Sequence, residues 1–141
     1  MKFFYFINSS KEKQFPCEGV EYIENKIFDI YDENISDFKF DLINFKTFKI
    51  NKKIFTKLKE KKIPVELNSK DIMEYIKKGK ISKVKQFIMA LKSYNVPYKF
   101  NCRIENEYDF KTPKEIMFLG EHLGLTQQQV KNSLMRDKNG N

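Results

Sequence analysis

Tryptophan is absent, histidine occurs once, and the two cysteines, Cys17 and Cys102, stand far apart. A Cys/His zinc centre needs several ligands at short spacing, and neither cysteine has such neighbours. Both read as small apolar fillers in a reducing, cytoplasmic setting. The five glycines are scattered over loops and helix ends, which leaves no P-loop, dinucleotide fingerprint or nucleophile elbow. His122 reads as a favourable helix C-terminal charge or a half-buried polar residue rather than a general base, which needs an orienting partner. Asp29, Asp32 and Glu33 form an acidic group without a second ligand set, better suited to solvating a loop than to holding a cation. No run reaches the roughly eighteen apolar residues of a membrane span. The opening MKFFYFIN is short, lacks a small-residue cleavage site, and reads as a buried strand rather than a signal peptide. The expectation is a chain with no active site, metal or bound cofactor of its own.

What the chain does have is lysine. Its 141 residues carry a net charge of +8, and their number suits one domain. The charge is uneven. Residues 1–40 hold five Lys against eight acids, whereas residues 41–141 hold 22 Lys and Arg against 11 acids. Codon bias in an AT-rich genome raises Lys, Asn, Ile and Phe together, but it does not explain why acids outnumber Lys over the first forty positions. A polyanionic partner on the later part of the chain is the physical reading.

Aromatic and β-branched residues make Lys2 to Asn8 a strand. Gln14 to Gly19 is loop-like, Val20 to Tyr31 holds two short apolar runs suited to a hairpin or one bent strand, and Asp32 to Asp37 is an acidic connector. From Phe40 the order becomes regular. FDLIN (40–44) is a strand, Asn51 caps a helix over Lys52 to Lys61, and IPVELN (63–68) is the next strand. Ser69 caps a short helix that Gly79 stops. Ser82 to Tyr94 is amphipathic, with Val84, Ile88 and Leu91 inward, flanked by Phe87 and Tyr94, and Lys83, Lys85 and Lys92 outward. VPYKFN (96–101) repeats the Pro-x-x-apolar-Asn form of the earlier strand at the spacing of a βαβ unit. Strands 3–7, 41–44, 63–67 and 96–100 are therefore expected in one sheet, the last three parallel, with helices outside. Asn8, Asn44, Asn68 and Asn101 end these strands, a position where Asn suits turns and helix entry, with ligand contact on a shared C-terminal rim as the alternative. The chain is short for a complete barrel, so the fold class is α/β: a reduced or incomplete TIM-barrel-like parallel sheet with outer helices and a C-terminal helix pair.

That pair is written most plainly of all. Thr112, Pro113 and Glu115 open a helix as a capping box with Pro at its first position. Ile116, Leu119 and Leu123 share a face, and Gly124 supplies the left-handed stop. Thr126 and Gln129 form a second capping box, with Val130 and Leu134 a turn apart. The small Gly120, the turn Gly124 and the apolar Val130 follow the outline of a helix-turn-helix, which gives the alternative function: a DNA-binding regulator using residues 112–136.

Basic residues gather after the strand ends: Lys46 and Lys49 after Asn44, and Lys99, Arg103, Lys111 and Lys114 around the last strand and its exit. These six are the candidate nucleic-acid-binding residues, acting mainly on phosphate. Phe45, Phe48, Tyr75 and Tyr108 lie among the basic residues, as candidates to stack on unpaired bases.

The run YDFKTPKEIMFLGEHLGL, from Tyr108 to Leu125, resembles the C-terminal signature of ribonuclease P protein component 3, an archaeal-type and eukaryotic family. There an aromatic-Asp-Leu-Arg-Ser-Pro-Arg-Asp run enters a helix ending near Leu-Gly; here Tyr108, Asp109, Phe110, Lys111, Thr112, Pro113, Lys114 and Glu115 match it. VELNSKDIMEYIKKG, SKVKQFIMALKSYNVPYKFN and DLINFKTFKINKKIFTKLKEKKIP resemble the family's other strand and helix segments. The likeness covers about residues 40–135 in order, leaving 1–39 divergent and 136–141 as a disordered tail. The family's Ser-Ser-Gly-Ala-Arg-Ser loop is replaced by Asn101 to Asn106, with Glu105 at the family's Arg position and Arg103 at its Gly. The resemblance implies a PHP-like barrel related to metal-dependent phosphoesterases. It implies a non-catalytic binding subunit of an endonuclease whose partner RNA uses magnesium for catalysis. The implied partners are ribonuclease P RNA, precursor tRNA met through the complex, and a small α/β subunit of the same ribonucleoprotein, with no membrane.

Overall fold

The computed structural model describes residues 5–8, 20–23, 26–31, 35, 37–103 and 111–134. In chain order its elements are β1 (Tyr5–Asn8), β2 (Val20–Ile23), β3 (Ile27–Ile30), β4 (Leu42–Phe45), α1 (Lys52–Lys61), β5 (Val65–Asn68), α2 (Ser69–Lys77), α3 (Ile81–Ser93), β6 (Tyr98–Asn101), α4 (Pro113–His122) and α5 (Gln127–Leu134). The class is mixed α/β, with a four-stranded parallel sheet in the order β3-β4-β5-β6. Two compact units are distinguished: Asn25–Leu67 with Asp71–Lys99, and Met1–Glu24 with Asn68–Lys70 and Phe100–Asn141.

In the first unit, β4 and β5 are buried at every position, as parallel strands covered on both faces require. Their core is aromatic. The Phe87 ring lies 5.3 Å from Phe45, 5.4 Å from Phe48 and 5.7 Å from Phe55, mostly edge to face, and Tyr75 meets Phe48 edge-on. Such contacts add to the area that the rings remove from water. α1 takes its expected bounds, with Asn51 accepting a hydrogen bond from the Ile54 amide and Ile54, Phe55 and Leu58 buried. It ends at Lys62, which adopts a left-handed φ of +57°. A side chain disfavours that conformation, which glycine adopts without penalty. Lys62→Gly is therefore expected to raise stability by about 1 kcal/mol, read as an increased urea midpoint at unchanged m.

In the second unit, β1 pairs in parallel with β2, Tyr5 opposite Val20 and Asn8 opposite Ile23, and the two form their own sheet. Hence the expectation that the first strand joins the main sheet is corrected: apolar content identifies a strand without identifying its neighbour. The run Val20 to Tyr31 is likewise neither a hairpin nor one bent strand. Each half is a separate strand with a different parallel partner, and a hairpin demands antiparallel pairing.

The α4–α5 pair, also in this unit, follows its sequence closely. The Thr112 hydroxyl accepts from the Glu115 amide while the Glu115 carboxylate accepts from the Thr112 amide, and Thr126 and Gln129 repeat the exchange. Gly124 turns the chain at φ +87°, and Ile116, Leu119, Leu123, Val130 and Leu134 are buried. Gly120 needs its missing side chain for a different reason: a Cβ there would collide with Cγ2 of Val130.

Other corrections are small. Ser69 is the first residue of α2, and the cap is Asn68, whose Oδ1 accepts from the Lys70 amide. α3 begins at Ile81, with Lys92 half-buried rather than outward. The loop 14–19, Cys17, Asp32, Glu33, Tyr108 and the tail 136–141 lie outside the described residues.

Candidate nucleic-acid interface

The end of β4 carries a buried polar network. Asn44, 2% exposed, donates through Nδ2 to Oε1 of Glu66 at 2.7 Å and to Oδ2 of Asp71 at 3.1 Å. Glu66 on β5 is equally buried. A carboxylate removed from water needs donors in place of its hydration, and an amide with two hydrogens can serve two acids. Lys46 completes the group, its Nζ 3.1 Å from Asp71 Oδ2, while the Tyr75 hydroxyl donates to the Lys46 carbonyl. Sequence reasoning missed this network. Its signal was a Glu and an Asn inside otherwise apolar runs buried on both faces.

The strand-end asparagines thus have structural work. Asn44 serves the network, Asn68 caps α2, and Asn101 is buried at the end of β6. Asn8 ends a strand of the other sheet.

Within the unit of Asn25–Leu67 and Asp71–Lys99, Lys49 is exposed, Lys99 is half-buried on β6, and Lys46 is held by Asp71. The half-buried Lys46–Asp71 pair is a charge-assisted hydrogen bond. It leaves Lys46 less suited to phosphate than its position in sequence suggested. Within the other unit, Arg103 and Lys111 are half-buried, and Lys114 is exposed on the first turn of α4. The aromatic expectations change more. Phe45 and Phe48 are core residues and Tyr75 is half-buried against Phe48, because the Phe55–Phe87 cluster recruits them. Burial raises the Tyr98 phenol on β6 above its usual range, so it stays neutral and acts as a hydroxyl.

The large apolar residues left in water include Tyr31, Ile50, Met89 and Phe118. Phe118 was legible: it falls off the Ile116, Leu119 and Leu123 stripe and so faces outward. His122 ends α4 in an exposed position, its ring stacked on Phe118. Cys102 is buried, as a small filler would be. Among the described residues, no group of three or more His, Cys, Asp or Glu is placed to hold a metal ion, and no helix is long and apolar enough to cross a membrane. No family model matches the chain, and no curated protein matches it.

Proposed function

We propose that this chain is a non-catalytic, RNA-binding protein subunit of ribonuclease P, with a reduced or open barrel-like sheet, working in the cytoplasm. The observation that carries the reading is element order. The segments that resemble component 3 coincide in turn with β4, α1, β5, α2, α3, β6 and α4. The excess of 22 basic over 11 acidic residues in positions 41–141 supports it independently. In this role the partner RNA cleaves precursor tRNA with its own magnesium. The protein supplies cations that relieve phosphate repulsion, through Lys49, Lys99, Arg103, Lys111 and Lys114, and a small α/β subunit joins it in the complex. Lys46 contributes by tying the β4 exit to Asp71.

Replacing both Lys111 and Lys114 by Ala is expected to flatten the slope of log affinity against log salt by about one to two units, with binding weakened across RNA sequences. Lys57→Ala and Lys85→Ala, which remove exposed charges from the outer faces of α1 and α3, should leave that slope nearly unchanged. Filter binding over a salt series distinguishes the two sets. A slope unaffected by the Lys111 and Lys114 changes would remove these residues from the interface.

The second reading, a helix-turn-helix DNA-binding regulator, is favoured by the close Gly120–Val130 packing and the Gly124 turn. Against it, the element that precedes α4 among the described residues is strand β6, where a supporting helix would be wanted. Sequence-specific binding to duplex DNA, lost on substitution of Gln128 or Lys131 in α5, would establish it.

A further inference from the structure

The outer face of α4 carries an aromatic side chain that the core does not use. Ile116, Leu119, Gly120 and Leu123 are buried, whereas Phe118 is 67% exposed. Its ring is stacked on the imidazole of His122, with centroids 5.5 Å apart and planes at 29°. Exposed Lys114 stands one turn earlier. Spacing of four residues puts Lys114, Phe118 and His122 on one stripe roughly 12 Å long. Of the two acids on this helix, Glu115 is engaged in the capping box and Glu121 is exposed beside His122.

This arrangement favours one kind of occupant. A protein surface would seek a contiguous apolar patch, but here a single ring pair sits between charges, and neighbouring Met117 is half-buried. A flat ring already stacked on another offers a face that any unpaired base can extend, and an ammonium one turn away suits the adjoining phosphate. We infer that Phe118 and His122 form a stacking platform for an unpaired RNA base, with Lys114 on the neighbouring phosphate. The inference rests on the RNA-binding reading and adds a contact that depends on stacking rather than on charge. Glu121 repels phosphate at the far end, so the bound backbone passes on the Lys114 side.

The chain contains no tryptophan, so Phe118→Trp installs the sole indole as a reporter on the platform. Full-length Phe118→Trp is titrated with single-stranded oligoadenylate and with an RNA duplex of equal length. Quenching that follows binding of the single strand, with little response to the duplex, is expected. Phe118→Ala should lower single-strand affinity about five- to hundredfold while the salt slope stays unchanged, and Phe118→Tyr should retain the affinity. Unchanged indole emission on saturation, with Phe118→Ala binding as tightly as the parent, overturns the platform and leaves the RNA-binding reading standing. A change of oligomeric state in Phe118→Ala, read by sedimentation, also overturns it, because a second copy then covers the ring. Failure to bind either RNA overturns both.

Discussion

Asn44→Leu is expected to destabilise the protein by about 3 kcal/mol, although the side chains are close in size. The Asn44 amide donates to Glu66 at 2.7 Å, and it also reaches Asp71. Its loss withdraws a hydrogen bond from a carboxylate that is 2% exposed. Glu66→Leu should cost less, because Asn44 keeps its bond to Asp71. The double replacement, Asn44→Leu with Glu66→Leu, should recover part of the single Asn44 loss, since exchanging both members of a buried polar pair for apolar groups removes the desolvation penalty. Urea denaturation of the four proteins gives the coupling directly. Additive losses would mean that Asn44 and Glu66 act separately and that the strand-end network is incidental.

Gly120→Leu should also cost about 3 kcal/mol, concentrated in the helix pair. A Cβ alone at this position already meets Val130 Cγ2, and Val130 is β-branched with little freedom to turn away. The better helix propensity of Leu recovers less than 1 kcal/mol of that loss. Val130→Ala in the Gly120→Leu background should restore part of the stability by opening space at the contact. Gly124→Ala makes an informative comparison. Nothing lies within 4 Å of its would-be Cβ, so its cost is the left-handed φ of +87° alone, about 1 to 2 kcal/mol. If Val130→Ala brought no recovery, steric closeness of α4 and α5 would not be what demands Gly120.

The sequence made local structure legible where one residue type has one physical job. Asn51, Thr112 and Thr126 cap helices as their hydroxyl or amide oxygens dictate, Gly79 and Gly124 adopt positive φ, and the apolar stripe of α3 is buried. Partnership between distant segments was less legible. Nothing in the apolar run Tyr5–Asn8 says that Val20–Ile23 will be its neighbour, because parallel pairing is set by the whole arrangement of the chain. The candidate site was legible unevenly. Lysines after strand ends could be named from spacing, but whether a cation is open or tied depends on a carboxylate 25 residues away, as for Lys46 and Asp71. Aromatic residues near lysines looked available for bases until the Phe45, Phe48, Phe55 and Phe87 cluster claimed most of them. Phe118, outside that cluster, has an outward place that helical periodicity alone would have given, and it was overlooked.

Purification of the tagged full-length protein from cells that make it, at low salt, followed by sequencing of the nucleic acid that accompanies it, decides the functional reading. Lysines that neutralise phosphate retain a cognate RNA under these conditions. The expected result is enrichment of one structured RNA, that of ribonuclease P, together with precursor tRNA, and loss of both in the Lys111→Ala, Lys114→Ala variant. Recovery instead of duplex DNA fragments sharing a sequence, or of no RNA above the level of an untagged control, would contradict it.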